Sequence, residues 1–307
     1  MKKSNSIKII FLLIGLSVVS YSQSAGSNGL SFLKIGSGAR NIALGDNGAV
    51  FANDVSAIFY NPAQLKSGNP EIIFTHNAWI QDAATELLGV KFSLFNLPIG
   101  FGINSTSIKG FEVRTKPGPV ETTFNTHYFF GSLSTAFSLI ENLSTGITLK
   151  YLYEDIFYDN SEGIGFDFGL YYKTPVENLF VSAVVKNIGS MNQLQKEATK
   201  LPAEIRVGPV YQYDLPIYKL SLQAGGEFQK YLLQSDVHIN FGTEIVYDKM
   251  FAFRLGYQTN HESKDISGGL GLYWNQFSFD YAMTPFSYGL GQAQTISIKY
   301  TFLNFDN

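Results

Sequence analysis

The sequence contains no cysteine among its 307 residues. This absence excludes a disulfide-stapled scaffold, a thiolate nucleophile and any metal site built on cysteine. Charged residues are scarce at 15%, against about 25% in an average soluble domain, and the formal net charge of −3 offers no basic surface for nucleic acid. Only one apolar run approaches the length of a membrane-spanning helix, which excludes a polytopic helical membrane protein.

That single apolar run lies at the amino terminus. Lys2, Lys3 and Lys8 precede the apolar residues 9–19, and the small residues Ser20 and Ser22 follow. A basic start, a short apolar stretch and a small-x-small site are typical of a cleaved export signal. The alternative is a single anchoring helix, but the run is shorter than the roughly 20 residues that a span needs. Residues 1–22 are therefore predicted to be a signal peptide, and the protein is predicted to leave the cytoplasm.

The rest of the chain is rich in apolar residues that alternate with polar ones. Near the carboxyl end, Ile296, Ile298, Tyr300 and Phe302 share one parity, opposite small and polar residues. Alternation with a period of two indicates strands that have one apolar and one polar face. The candidate strands are residues 72–79, 86–95, 99–106, 127–138, 144–154, 163–173, 178–187, 203–213, 218–228, 236–247, 250–260, 265–275, 276–283 and 293–302.

The lengths of these strands and of their connections point to a membrane barrel. Many strands have about ten residues, the length of a tilted membrane strand, and their number is even. Connections after even strands are short, whereas residues 107–126, 188–202 and 284–292 form longer loops after odd strands. We therefore expect residues 71–307 to form an all-β, transmembrane antiparallel barrel of about 14 strands in the outer membrane, in contact with lipid and lipopolysaccharide. A secreted all-β repeat protein remains the alternative.

The polar parity of the strands carries charges of both signs. Because Lys or Arg facing lipid at mid-depth costs about 2–4 kcal/mol, these side chains are expected to line a polar, filled lumen. Pairing with one another and with plug residues is a simpler role for them than lining a substrate path. The predicted lumen-facing polar residues are Lys150, Asp167, Glu204, Arg206, Glu227, His238, Glu244, Arg254, Asp280 and Lys299.

Residues 23–70 do not follow the strand pattern. The segment is rich in glycine, contains Arg40 and ends near the sequence Tyr-Asn-Pro-Ala at residues 60–63. Glycine-rich sequence cannot form a stable exposed helix, but it can fold inside a barrel whose wall satisfies its backbone. Proline fixes one backbone angle and asparagine favours a turn, which suits a rigid corner. The motif residues of the segment are Gly36, Gly38, Arg40, Gly45, Asn61, Pro62 and Ala63.

These motifs resemble the amino-terminal signature of the PorV/PorQ family, within the FadL-like group of outer-membrane proteins. The matching runs are SFLKIG at residues 31–36, GAR at 38–40, ALG at 43–45, NDVSA at 53–57 and YNPA at 60–63. The resemblance implies a fourteen-stranded barrel in which residues 23–70 form an amino-terminal hatch that plugs the lumen, with the Asn-Pro-Ala motif inside it. It also implies a role with the type IX secretion system of Bacteroidetes, in which the protein binds secreted cargo proteins or other secretion components.

Catalysis has little support in the sequence. The four histidines are His76, His127, His238 and His261, and none has the spacing of a zinc or nucleophile motif. We expect no enzyme, no metal and no cofactor. Three functions stay open: binding of secreted proteins or secretion components through the outer loops, a FadL-type channel for hydrophobic small molecules, and a lipid-acting enzyme. The channel would need a break in the wall, for which a kink at Gly225-Gly226 or Gly268-Gly269 is a candidate, but glycines that face a tightly packed plug would give the same sequence.

Overall fold

The computed structural model describes residues 29–194 and 197–303, and the signal peptide predicted for residues 1–22 lies outside them. The strands are β1 (Glu71–Ala78), β2 (Ala83–Leu94), β3 (Leu97–Val113), β4 (Thr122–Ile140), β5 (Leu143–Ile156), β6 (Asp159–Lys173), β7 (Leu179–Met191), β8 (Gln193–Leu194), β9 (Glu197–Ala198), β10 (Glu204–Leu215), β11 (Leu220–Tyr231), β12 (Val237–Tyr247), β13 (Phe251–Gln258), β14 (Ile266–Trp274), β15 (Phe277–Pro285) and β16 (Gln292–Thr301). Fourteen of them close into one antiparallel barrel.

The barrel closes where its first strand meets its last. Glu71 pairs with Thr301 and Ala78 with Gln294 across β1 and β16. Strands β8 and β9 form a separate two-stranded hairpin, so β7 pairs directly with β10. The predicted fold, a closed antiparallel barrel of fourteen strands, is confirmed.

The two ends of the barrel differ in their connections. At one end, which we call the short-turn end, the strands are joined by residues 95–96, 141–142, 174–178, 216–219, 248–250 and 275–276. At the other, the long-loop end, the connections are residues 79–82, 114–121, 157–158, 192–203, 232–236, 259–265 and 286–291. This asymmetry is the one that transmembrane barrels show.

The loop predicted for residues 107–126 is mostly strand, which corrects its boundaries. β3 has 17 residues and β4 has 19, so only residues 114–121 connect them. Past a bulge near Gly110, whose φ is +80°, Phe111 pairs with Phe124. Beyond the membrane both faces of a strand are exposed to solvent. The hydrogen-bonded ladder therefore continues there without the alternation of apolar residues that identified the other strands. The hairpin β3–β4 therefore projects beyond the wall at the long-loop end.

The outer face of the wall is apolar and exposed. In β13, Phe253 is 55% and Leu255 is 70% exposed, whereas the alternate residues Ala252 and Arg254 are buried. Exposed side chains of this kind recur around the barrel, and a soluble monomer rarely exposes so large an apolar surface. An apolar outer band on a closed barrel is the surface of a transmembrane β-barrel.

Residues 29–70, which we call the lumenal segment, fold inside this wall. Their short helices are α1 (Ala39–Ala43), α2 (Gly48–Phe51) and α3 (Ala57–Tyr60), with 3₁₀ turns at Ser31–Lys34 and Pro62–Gln64. All residues of α2 and α3 are buried. Helices of four or five residues are too short to persist alone in water, so their stability comes from the surrounding wall.

The lumenal segment runs through the barrel from one end to the other. At the long-loop end, the amide of Gly29 donates a hydrogen bond to the carbonyl of Lys200 at 3.1 Å. At the short-turn end, the amide of Gly68 donates to Ser93 Oγ at 3.0 Å. Within residues 29–194 and 197–303, no helix is both long enough and apolar enough to cross a membrane.

Candidate functional site

The ten predicted lumen-facing residues all lie on the inner side of the wall. Lys299 is half-buried and the others are buried. Because burying an unpaired charge is costly, such groups need ionic or hydrogen-bonding partners. The structure gives them partners on neighbouring strands and on the lumenal segment.

Arg206 is the centre of one group of charges, which we call the Arg206 cluster. Its guanidinium lies 3.1 Å from Glu204, 2.9 Å from Glu227 and 3.2 Å from Asp46. Arg206 Nη1 also donates to the carbonyl of Asp46 at 2.8 Å. Asp46 belongs to the lumenal segment and was not predicted as a site residue, since nothing in its local sequence pairs it with a wall residue 160 positions away. The cluster ties this segment to β10 and β11.

A second group of charges, the Arg254 cluster, lies on the nearby strands β12, β13 and β15. Arg40 of α1 makes a two-point contact with Glu244, at 3.0 and 2.9 Å. Glu244 also accepts from Arg254 Nε at 2.5 Å, and Arg254 Nη1 donates to Asp280 at 2.7 Å. Paired donors on a carboxylate are strong and directional. Arg40 is thereby bound to the wall formed by β12 to β15.

Two further ion pairs involve predicted residues. Lys299 lies 2.6 Å from Asp54 of the lumenal segment, and Lys150 lies 2.7 Å from Asp167 on the next strand. At Asp167 the ladder with β7 is irregular, and the bulged Asn187, with φ of +58°, donates its amide to that carboxylate at 2.8 Å. The charged residues named here thus pair with one another or with the lumenal segment and do not line an open path beside it.

The Asn-Pro-Ala motif forms a corner against the wall. Asn61 is fully buried, and its side chain donates to Ser182 Oγ at 2.6 Å while accepting from the Ala63 amide at 3.0 Å. Pro62 begins the 3₁₀ turn, where its missing amide hydrogen costs nothing. A side chain at Gly146 of β5 would overlap the backbone of Pro62 and Ala63. The motif and the facing glycine together allow this close approach.

The predicted glycines have different roles in the segment. Gly38 precedes α1 with φ of +84°, and Gly45 follows it with φ of +75°. Glycine adopts these left-handed angles without a steric penalty. Gly36 packs where a side chain would meet Asp46 and Ile42.

A line of aromatic side chains, which we call the aromatic track, was missed by the sequence analysis. Phe124, Tyr128 and Phe130 share the inward parity of β4. Phe32 of the lumenal segment stacks on Tyr128 with a centroid distance of 5.3 Å, and Phe59 meets Phe130 edge-on at 6.2 Å. The signal for this track in the sequence is a set of aromatic residues on the polar parity of one strand.

At the long-loop end the aromatic track widens into a cluster. Phe124 lies 5.2 Å from Phe111 and 4.7 Å from Phe157, measured between ring centroids. Phe157 and Tyr158 occupy the turn between β5 and β6, and Tyr158 is 83% exposed. From Phe124 to Phe130 the strand rises about 20 Å, so the track leads from the barrel mouth to the lumenal segment.

The track ends at a small cavity. Its volume is about 20 Å³, and Phe32, Phe130, Tyr60, Lys150, Lys186 and Arg206 are among its lining residues. That volume holds about one water molecule. No larger solute fits in this cavity in this conformation.

Neither predicted glycine pair opens the wall. Gly268 and Gly269 pair with residues on both β13 and β15. Gly268 instead forms the floor of a recess of about 480 Å³ on the lipid-facing surface, lined by residues such as Leu255 and Met283. Gly225 pairs with Val210 on β10 and with Gly242 on β12, and Gly226 pairs with Phe241 on β12. The alternative, glycines that face a packed plug, agrees with the structure, since a side chain at Gly225 would meet Phe51 and one at Gly269 would meet Ala43.

His238, the remaining predicted residue, lies at the long-loop end of β12. Its Nδ1 lies 3.0 Å from the carbonyl of Thr259, and its ring stacks on His261. The imidazole is thus held by a backbone carbonyl and by contacts with the rings of Tyr231 and His261. Within the described parts of the chain, no group of three His, Asp or Glu side chains could hold a metal ion.

Comparisons with known proteins identify the fold. No family model matches the chain, and no curated protein matches it. The Ralstonia pickettii toluene transporter TbuX is similar with a TM-score of 0.60 and 14% identity, covering 87% of this chain and 98% of that one. The Pseudomonas putida toluene transporter TodX is similar with a TM-score of 0.62 and 12% identity, with the same coverage. At these identities the likeness shows a shared barrel fold.

Proposed function

We propose that the protein is an outer-membrane channel that takes small hydrophobic, aromatic molecules into its lumen. The short-turn end would face the periplasm and the long-loop end the exterior, as in other outer-membrane barrels. The shared fold with two toluene transporters supports this function. It favours the channel over the secretion role that the PorV/PorQ resemblance implies.

The observation that carries the proposal is the aromatic track. Ligand sites for apolar molecules are lined by aromatic side chains and bury most of the ligand. The rings at Phe124, Tyr128 and Phe130 supply such a lining along the inner face of one strand. An aromatic solute gains contact with a ring at each step, at about 0.5–1.5 kcal/mol per ring pair.

Passage through the barrel requires the lumenal segment to move. The cavity at the end of the track holds about one water molecule, and Phe32 and Phe59 of the segment close it. A solute that replaces the ring of Phe32 against Tyr128 would displace the first turn of the segment. Entry and plug movement are thus coupled in this proposal.

Uptake of radiolabelled toluene by cells that produce the protein tests the channel. Replacing Phe124 with Ala removes the ring that contacts Phe111 and Phe157, and about 1 kcal/mol of lost contact lowers uptake roughly fivefold. Phe129→Ala is the matched control, because this neighbour on β4 has the outward parity. Equal uptake by the Phe124→Ala and wild-type proteins would contradict the aromatic track as the path.

A second candidate function is the binding of secreted proteins or secretion components. The observation that favours it is the β3–β4 hairpin, whose strands of 17 and 19 residues outreach the 8 and 9 residues of β13 and β14. A pull-down from the native outer membrane in mild detergent tests it. Recovery of secreted proteins that is lost when residues 114–121 are replaced by a short turn supports this function. An empty barrel in that experiment counts against it.

A further inference from the structure

Three connections at the long-loop end are joined into one surface layer, which we call the cap: residues 79–82, 259–265 and 286–291. The amide of Ser287 donates to the carbonyl of Ser263 at 2.7 Å. Trp79 meets Phe286 edge-on at 5.2 Å, and Lys264 Nζ lies 5.3 Å from the Trp79 ring centroid. The three connections therefore move together or not at all.

A pair of stacked histidines fastens the cap to the barrel. His261 of the cap lies parallel to His238 of β12, with centroids 4.1 Å apart and an interplanar angle of 11°. His238 also meets Tyr231 edge-on at 6.0 Å. Lys34 Nζ of the lumenal segment lies 4.7 Å from the centroid of the Tyr231 ring. The stack thus connects the cap to the first turn of the lumenal segment.

The surroundings of the stack suit two neutral rings and not a charged pair. His261 Nε2 is buried without a hydrogen-bond partner, so a proton there would gain no acceptor. Two imidazolium ions at 4.1 Å would also repel each other. The charged and titratable groups around the pair are Tyr231 on β11, Arg206 on β10, Asp236 before β12, and Glu262 and Lys264 in the cap.

We propose that the His238–His261 stack is an acid-sensitive latch, and that protonation of its rings releases the cap from the barrel mouth. This inference goes beyond the proposed channel, because it concerns the cap and holds whatever the solute is. In the closed state both rings are neutral and packed. In the open state His261 is solvated and takes up a proton freely.

The direction of the pH dependence follows from His261. Burial lowers the pKa of its imidazole to about 3, and the positive charge of Lys264 adds to the shift. A solvated histidine has a pKa of about 6.5. Neutral His261 therefore stabilises the closed cap fully above about pH 6.5, and that stability is lost progressively as the pH falls from about 6.5 towards 3. Between pH 7.5 and 5, the ratio of open to closed cap rises about 30-fold.

Tryptophan fluorescence measures this opening in the full-length protein in detergent micelles. The chain has two tryptophans, and Trp274 is 59% exposed on the lipid-facing side, so Trp274→Phe leaves Trp79 as the sole reporter. We expect its emission and its quenching by acrylamide to change between pH 7.5 and 5, as Trp79 separates from Phe286 and Lys264. His261→Gln, which removes the titrating ring, is expected to abolish the change.

His76→Gln is the matched control, since His76 is paired with Glu86 at 2.6 Å, and both side chains are 48% exposed. The control is expected to retain the full pH response. A Trp79 signal that does not change with pH in the Trp274→Phe protein would overturn the proposal. A response that persists after His261→Gln is added to this protein would overturn it as well. Because this measurement needs no transported solute, it tests the latch independently of the proposed channel function.

Discussion

Arg206 offers the most quantitative test of how the lumenal segment is held. Its side chain is 2% exposed and contacts the carboxylates of Glu204, Glu227 and Asp46 at 3.2 Å or less. The substitution Arg206→Met keeps much of the volume and removes the charge. Glu204 would then keep Lys186, at 3.4 Å, whereas Glu227 and Asp46 would lose their ion pairs with Arg206.

Removing one partner of a buried ion pair costs about 3–5 kcal/mol, because the remaining charge stays buried. The free energy of unfolding of Arg206→Met is therefore expected to fall by about 3–5 kcal/mol. Urea unfolding in detergent micelles, followed by tryptophan fluorescence and by gel mobility of unheated samples, measures the change. Arg206→Lys should be milder, since one ammonium group can still pair with part of the cluster.

Lys219→Met provides the control for this experiment. Lys219 and Asp248 lie in two separate turns at the short-turn end and pair at 3.0 Å, and their side chains are 62% and 47% exposed. Exposed pairs of this kind contribute about 0–1 kcal/mol. If Arg206→Met also lost no more than about 1 kcal/mol, the cluster would not be the anchor described here.

Two further substitutions examine the fit of the lumenal segment against the wall. A side chain at Gly256 would overlap the backbone of Gly45. Gly256→Val is therefore expected to displace the lumenal segment and to make it susceptible to cleavage by trypsin. Gly268→Val is the control: its side chain would point outward, with its nearest neighbour at 3.6 Å, and should leave the segment protected. Asn61→Ala removes a buried amide that bonds to Ser182, and a loss of about 1–3 kcal/mol in urea unfolding is expected; a smaller loss would mean that water replaces the amide.

The strands were predictable because each side chain within the membrane faces either the lipid or the lumen, and the two sides require apolar and polar residues respectively. In β13, phenylalanine, leucine and tyrosine alternate with Ala252, Arg254, Gly256 and Gln258, and that alternation is visible in the sequence. Where the strands extend beyond the membrane, this difference between the two faces is lost, and the residues no longer alternate. The ends of β3 and β4, from Ile108 to Val113 and from Thr122 to Thr126, could not be identified for that reason.

The partners of the lumenal charges depend on three-dimensional register and not on local pattern. Arg206 and Asp46 are 160 residues apart, and Arg40 and Glu244 are 204 apart. Inward parity indicated that Arg206 and Glu244 would lie inside, but not which residue of the segment each would meet. The same limit applies to His261, because a loop residue has no parity to relate it to His238.

The most direct test of the channel is to locate a solute inside the barrel. Crystals soaked with a brominated toluene would give an anomalous signal wherever the halogen is ordered. We expect a peak between Phe124 and Phe130, on the inner face of β4, accompanied by displacement of Phe32 from Tyr128. Peaks found only on the lipid-facing side, with the aromatic track empty and Phe32 still stacked, would contradict the account.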